Sequence, residues 1–330
     1  MMIWYVFPAF FLSLLLALLV GYWMIPQLAR LKFGQVVRDD GPSTHLGKKG
    51  TPTMGGLIFL VPSLLLTLAG ALAGTSDLLP TVALLTLVTG FALVGLTDDA
   101  LKVVFKRSLG LKARHKLAGQ FLVVAVSGLL FYLSGHDTAV TLPFTRLSWD
   151  LGIFYWAFFA VLAVGFGNGV NFTDGVDGLA GSTVFIALLS YVVIGVISGS
   201  EPVLLASAVL AAAVLGFLFY NRHPARVFMG DVGSLALGGA LAGLAVMSKT
   251  ELYLLVLGAV FVFEAFSSTL QVIYFKMTKG KRFFRMAPFH HHLEVSGWSE
   301  RHVLWAFVLA AVLCSIIGLT GFWSQVAAVR

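Results

Sequence analysis

Apolar runs of roughly 18 or more residues recur from Trp4 to near the C-terminus, and each is long enough to cross a hydrocarbon core of about 30 Å as a helix. Only 11% of the 330 residues are charged, against about 25% in an ordinary soluble domain. Too little polar surface remains for a soluble fold of this length. Met1 to Val20 carries an apolar run without Lys or Arg ahead of it and without a small-residue cleavage site, so it reads as a first spanning helix, not a signal peptide. The single cysteine, Cys314, excludes an intrachain disulfide and a cysteine-based metal cluster.

Ten spans are expected, near residues 4–25, 54–74, 79–97, 117–134, 151–168, 179–198, 203–220, 233–248, 252–275 and 303–325. With that alternation, 19 of the 22 Lys and Arg residues fall in the loops 30–53, 98–116, 221–232 and 276–302. By the positive-inside rule those loops are cytoplasmic and both termini lie outside. The expected class is all-α: a polytopic integral membrane helical bundle forming one domain over 1–330, with its active-site loops at 30–53, 98–116, 169–178, 221–232 and 276–302. The basic balance follows from topology, with an added pull toward anionic headgroups or phosphorylated ligands. No nucleic-acid partner is expected, because the charges come in short juxtamembrane clusters without a recognisable nucleic-acid-binding module.

Nine of the fifteen acidic residues fall on the same side, most of them in motifs. Asp98 and Asp99 close the third span and share a helix face with Lys102. Adjacent carboxylates repel unless a cation or a proton joins them, so the pair points to a divalent metal or a raised pKa; the plainer alternative is a solvated helix end with an ion pair. In GNGVNFTDGVDGLAG, Asn168, Asn171, Asp174 and Asp177 recur every third residue, and an ideal helix would turn the last about 180° from the first. Glycines at 167, 169, 175 and 178 permit unwinding, so these groups can wrap one polar ligand while freed amides face phosphate. Asp231 in RVFMGDVGS serves either as an N-cap of the eighth helix or as an oxygen ligand for Mg²⁺. His290, His291 and His292 lie in a long basic loop and suit a phosphate better than zinc, for which the helical spacing and third partner are missing. Glu264 alone falls inside a span, where a carboxylate is either functional or paired with a hydroxyl or basic group.

Together, Asp98-Asp99 with Lys102, NFTDGVDGLAG from Asn171, FMGD from Phe228 and PFHHHLE from Pro288 resemble the polyprenyl-phosphate N-acetylhexosamine-1-phosphate transferases in order and loop placement. KKGTPTMGG from Lys48 and the unbroken triple histidine are similar to the branch that acts on a muramoyl-pentapeptide nucleotide. The resemblance implies a Mg²⁺-dependent reaction of peptidoglycan synthesis at the bacterial inner membrane: undecaprenyl phosphate attacks UDP-N-acetylmuramoyl-pentapeptide, releasing UMP and forming lipid I. It implies Asp231 as metal ligand, with Asp98 deprotonating or holding the lipid phosphate and Asp99 supporting the metal. Lys102, His290 and His291 complete the implied catalytic set.

Asn168, Asn171, Asp174, Gly175 and Asp177 would line the nucleotide side, and Phe228 would stack on uracil. Lys48, Thr53, Gln271, Ser268, Ala287 and His292 would add contacts. A homodimer is compatible with this reading. The competing readings are a sister-branch N-acetylglucosamine-1-phosphate transferase and, in a different class, a secondary transporter. Transporters place binding residues near the bilayer midplane, whereas these carboxylates sit at span ends.

Overall fold

The computed structural model describes residues 3–30, 50–74, 77–104 and 110–327. Its helices are α1 (Ile3–Arg30), α2 (Leu57–Leu72), α3 (Leu78–Val104), α4 (Ala113–Leu133), α5 (Phe154–Thr173), α6 (Leu179–Ser198), α7 (Glu201–Asn221), α8 (Gly230–Met247), α9 (Glu251–Leu257), α10 (Ala259–Met277), α11 (Phe289–Val295) and α12 (Glu300–Ala327). Strands β1 (Ala139–Thr141) and β2 (Ser148–Asp150) form a hairpin between α4 and α5. The protein is a polytopic all-α membrane protein. Each expected span falls on a helix, with two corrections. Among the described residues eight helices are long and apolar enough to cross a membrane, while α2 has only 16 residues, and α9 and α10 are bent by 80°. The bend falls at Gly258, whose backbone is not helical (φ −105°, ψ 23°).

Helix α8 is the axis of the bundle, buried without interruption from Val232 to Val246. A helix apolar on every side has no solvent face, and in lipid the association of helices depends on close backbone approach through small residues. Two glycines set that approach. A Cβ on Gly95 of α3 would lie 2.1 Å from the Asp231 carbonyl oxygen, and one on Gly238 of α8 would lie 2.3 Å from that of Phe166 in α5. The C-terminal ends of α3 and α5 are thereby locked against the N-terminal half of α8. This packing brings the acidic motifs together at one end of the bundle.

The other end is closed by a separate polar network. The Tyr155 hydroxyl donates to Glu251 Oε1 (2.5 Å), and His136 Nε2 lies 2.8 Å from the same hydroxyl. Lys249 Nζ donates to the Asp137 carbonyl (2.6 Å) and sits 3.4 Å from Glu251. Burial pushes the His136 imidazole down to about 4, with Lys249 adding to the shift. The ring is neutral at physiological pH and donates its Nε2 proton to Tyr155.

Candidate active site

The site is assembled from four helix ends. Asp98 and Asp99 stand on the last turns of α3, and both are 3% exposed. Asp98 Oδ1 accepts from the Leu111 amide (2.7 Å), and its Oδ2 pairs with Lys102 one turn on (2.5 Å). Asp99 Oδ2 accepts from the Val232 amide (3.0 Å). A carboxylate of α3 thus satisfies an orphan amide at the start of α8, where negative charge is also favoured by the helix dipole. Asp231 is therefore not the N-cap of its helix. It lies in the first turn, and its own carboxylate turns to cations: Lys116 at 2.7 Å and Lys102 at 3.2 Å.

Asn171, on the last turn of α5, completes the group. Its Nδ2 donates to Asp231 Oδ1 (3.0 Å) and to Ser234 Oγ (2.8 Å), while its Oδ1 accepts from Lys116 Nζ (3.2 Å). Carboxylate oxygens of Asp98, Asp99 and Asp231 all lie within 4.8 Å of one another. Three oxygen donors at that separation, with no sulfur or imidazole among them, fit a hard divalent cation, whose opposed Mg–O bonds of about 2.0–2.1 Å span a similar width. Lys116 and Ser234 were missed by sequence reading. Lys116 looked like any other basic residue ahead of a cytoplasmic span, and Ser234 like any small residue of an apolar helix.

The asparagine and aspartate motif divides between several environments. Helix α5 continues through Gly167 and Gly169, so these glycines do not unwind it. A Cβ at either would instead meet Phe91 (2.7 Å) or the Phe261 carbonyl (2.9 Å). Asn168 faces Gln120 of α4, donating to its Oε1 (3.0 Å). The chain leaves the helix at Asp174 and turns through Gly178, at φ +76°. Asp174 accepts from the Gly230 amide, and burial holds it well above the usual carboxylate range, reinforced by Asp231, Asp99 and Asp177. Asp177 joins a second cluster: its Oδ2 accepts from the Ala225 amide (3.0 Å) and faces His223 Nδ1 (3.2 Å), which lies 3.5 Å from Glu300.

Two distant motifs are joined through their backbones. The Phe228 amide donates to the Pro52 carbonyl, and the Gly55 and Gly56 amides donate to the carbonyls of Phe228 and Met229, each at 2.8 Å. Thr53 is buried here, and a Cβ on Gly230 would meet both its hydroxyl (2.9 Å) and Asp99 Oδ2 (2.6 Å). Lys48 lies outside the described residues. Phe228 is half-buried beside this junction.

The histidines separate as their number requires. His290 is fully buried against Glu264, His291 Nδ1 pairs with Glu294 (2.7 Å), and His292 Nδ1 accepts from the Arg285 amide (3.1 Å) while stacking on Phe289. Gln271 holds this loop in shape: its Oε1 accepts from the Phe283 and Phe284 amides, and its Nε2 donates to the Phe284 carbonyl. Ser268 carries a buried hydroxyl without a hydrogen-bond partner among the described residues, and Ala287 is half-buried ahead of Pro288.

Comparison with known proteins gives this geometry its context. The family model described as Glycosyl transferase family 4 matches residues 81–249, and phospho-N-acetylmuramoyl-pentapeptide-transferase signature 1 matches residues 48–60. The phospho-N-acetylmuramoyl-pentapeptide-transferase of Desulfitobacterium hafniense is 47% identical over 330 residues, covering 96% of this chain and 97% of its own. Those of Moorella thermoacetica (47% over 309 residues; 93% and 96%) and Geobacillus thermodenitrificans (45% over 308; 93% and 94%) are similar in the same way. The chain belongs to the phospho-N-acetylmuramoyl-pentapeptide-transferase family. It is a phospho-sugar transferase of the membrane, and the acid cluster of α3 and α8 lies within the matched Glycosyl transferase family 4 region. The family's signature segment includes Pro52 and Gly55, whose backbones hydrogen-bond Phe228 in the segment leading into Asp231.

Proposed function

We propose that the chain transfers phospho-N-acetylmuramoyl-pentapeptide from its UDP nucleotide to undecaprenyl phosphate, giving lipid I and UMP in peptidoglycan synthesis. The site faces the cytoplasm, on the inner membrane of a bacterium, and both termini lie outside. The observation that carries this reading is the convergence of Asp98, Asp99 and Asp231 within 4.8 Å, beside Lys102, Lys116 and Asn171. Two anionic phosphates meeting at a membrane surface need such a mixture of cations and carboxylates. Family membership and the near-complete coverage of its relatives add to it.

Asp231, Asp98 and Asp99 are the residues that would hold Mg²⁺. When bound, the ion neutralises phosphate oxygens and stabilises UMP as leaving group. Lys102 and Lys116 supply further positive charge at the same carboxylates, and Asn171 orients Asp231. Asp98, already paired with Lys102, is placed to take a proton from the lipid phosphate or hold it in line. An oxygen of the lipid phosphate then attacks the phosphorus next to the sugar, and the bond from that phosphorus to UMP breaks. Asp174, Asp177, Gly175 and Phe228 serve the nucleotide, and His291 and His292 the sugar-phosphate or peptide side. Residues 1–330 work as one transferase domain, and a homodimer leaves each chain its own set of these residues.

Purified protein with polyprenyl phosphate and Mg²⁺ is expected to release UMP from the muramoyl-pentapeptide nucleotide. Release from UDP-N-acetylglucosamine alone would move the chain to the sister branch. Inversion at the transferred phosphorus is expected for direct attack, whereas retention would require a covalent aspartyl intermediate.

A further inference from the structure

Glu264 is fully buried on α10. A carboxylate in that position is costly unless its oxygens are met. Its Oε1 accepts from the His290 amide (3.2 Å), and its Oε2 lies 2.9 Å from His290 Nδ1. Ser267 ties the same junction, accepting from the Phe289 amide (3.1 Å) and donating to the Glu264 carbonyl (2.8 Å). The carboxylate oxygens are acceptors, so Nδ1 carries the proton that faces Glu264, and the Nε2 edge of the ring points the other way. That atom is buried and has no hydrogen-bond partner among the described residues. It bears on Gly175: a Cβ there would lie only 2.2 Å from Nε2. The space left by a missing side chain at 175 is occupied by the imidazole.

We propose that Glu264 is a positioning residue for the transfer reaction. It fixes the tautomer and orientation of His290, whose Nε2 edge braces the loop that runs from Asp174 to Asp177. His290 in this arrangement stands behind the loop, and the two carboxylates in front of it depend on the brace. The inference rests on the reading that this loop serves the nucleotide. It also gives Gly175 a reason distinct from chain flexibility, because even one methyl group would displace the ring or the loop.

The test uses the full chain in lipid nanodiscs, with binding of the muramoyl-pentapeptide nucleotide measured by calorimetry and histidine tautomers read by ¹⁵N NMR. Glu264→Gln keeps the side-chain shape, but its amide cannot accept from both N–H groups. Carboxylates that orient metal-ligating histidines typically carry about ten- to a hundredfold in affinity or activity, and the Glu264–His290 pair has the same hydrogen-bond geometry. A loss of that size is expected in nucleotide affinity, with the KM for the lipid phosphate unchanged and the Nδ1–H signature of His290 lost. Gly175→Ala is expected to cost a similar factor when His290 is present and little in a His290→Ala background.

Asp177→Asn is the control for the underlying reading. If Asp177→Asn weakens nucleotide binding and Glu264→Gln does not, the positioning role is overturned while the nucleotide reading stands. If Asp177→Asn leaves binding unchanged, the nucleotide reading fails, and the tautomer signature with the Gly175–His290 cycle still tests the brace. Additive costs of Gly175→Ala and His290→Ala would overturn it, and that cycle serves even if Glu264→Gln does not fold.

Discussion

Lys116→Met should separate two properties that ordinarily move together. Lys116 Nζ lies 2.7 Å from Asp231 Oδ2 and 3.2 Å from Asn171 Oδ1, on a side chain only 15% exposed. At that distance a unit charge pair gains about 1.5 kcal/mol at the dielectric constant of water and about 6 kcal/mol at an effective value of 20. A divalent cation approaching Asp231 competes with this ammonium. Even the aqueous limit makes its removal worth about a tenfold gain in ion affinity. Turnover should move the other way, because a charged hydrogen bond to the reacting phosphates is worth roughly 1.5–3 kcal/mol, or about ten- to 150-fold in kcat. Methionine preserves the length and the apolar stem, and Asp231 retains Lys102 at 3.2 Å, so no carboxylate is stranded. Mn²⁺ binding followed by electron paramagnetic resonance gives the affinity, and single-turnover UMP release gives the rate. Parallel weakening of both, or no change in either, would refute the assignment of Lys116 to the ion and phosphate site.

Three further outcomes follow from the packing and the charges. Gly95→Ala should lower both thermal stability and turnover, since its Cβ would lie 2.1 Å from the Asp231 carbonyl and overpacking of this kind costs about 1–3 kcal/mol; Gly165→Ala, with open space around it, is the control that should be tolerated. Asp98→Asn should nearly abolish UMP release without unfolding the bundle, because an amide oxygen can still accept from Leu111; full activity would overturn its role. His136 is held down at about 4, chiefly by burial, so the unfolded chain binds more protons between about 6.5 and 4. Stability in detergent should fall as pH drops through that window, by roughly 1–2 kcal/mol after allowance for solvent screening, and the His136→Asn variant should lose that dependence.

The spans were legible in the sequence because hydrocarbon thickness imposes a length on every crossing helix. The shortness of α2 and the α9–α10 bend were not, since hydropathy reports apolar character and says nothing of direction at Gly258. The acid cluster was readable as three motifs on one face, but not as one pocket. Its convergence depends on Gly95 and Gly238, whose importance lies in backbone contacts between helices far apart in sequence. Even spacing does not give each residue the same partners. Asn168 and Asp177 share the motif's period, but the first hydrogen-bonds Gln120 and the second faces His223, because the helix ends between them at Asp174. The partner of Glu264 was foreseen as a type and not as a residue: a basic group supplied by α11, 26 positions away.

The central claim is that Asp98, Asp99 and Asp231 hold one divalent ion on which transfer depends. Mn²⁺ titration of the wild-type chain and of Asp231→Asn, with UMP release measured on the same samples, tests it most directly. The expected result is one ion per wild-type chain, with ion binding and release lost together in the variant. Equal ion binding by the variant, or undiminished release after complete removal of divalent cations, would contradict it.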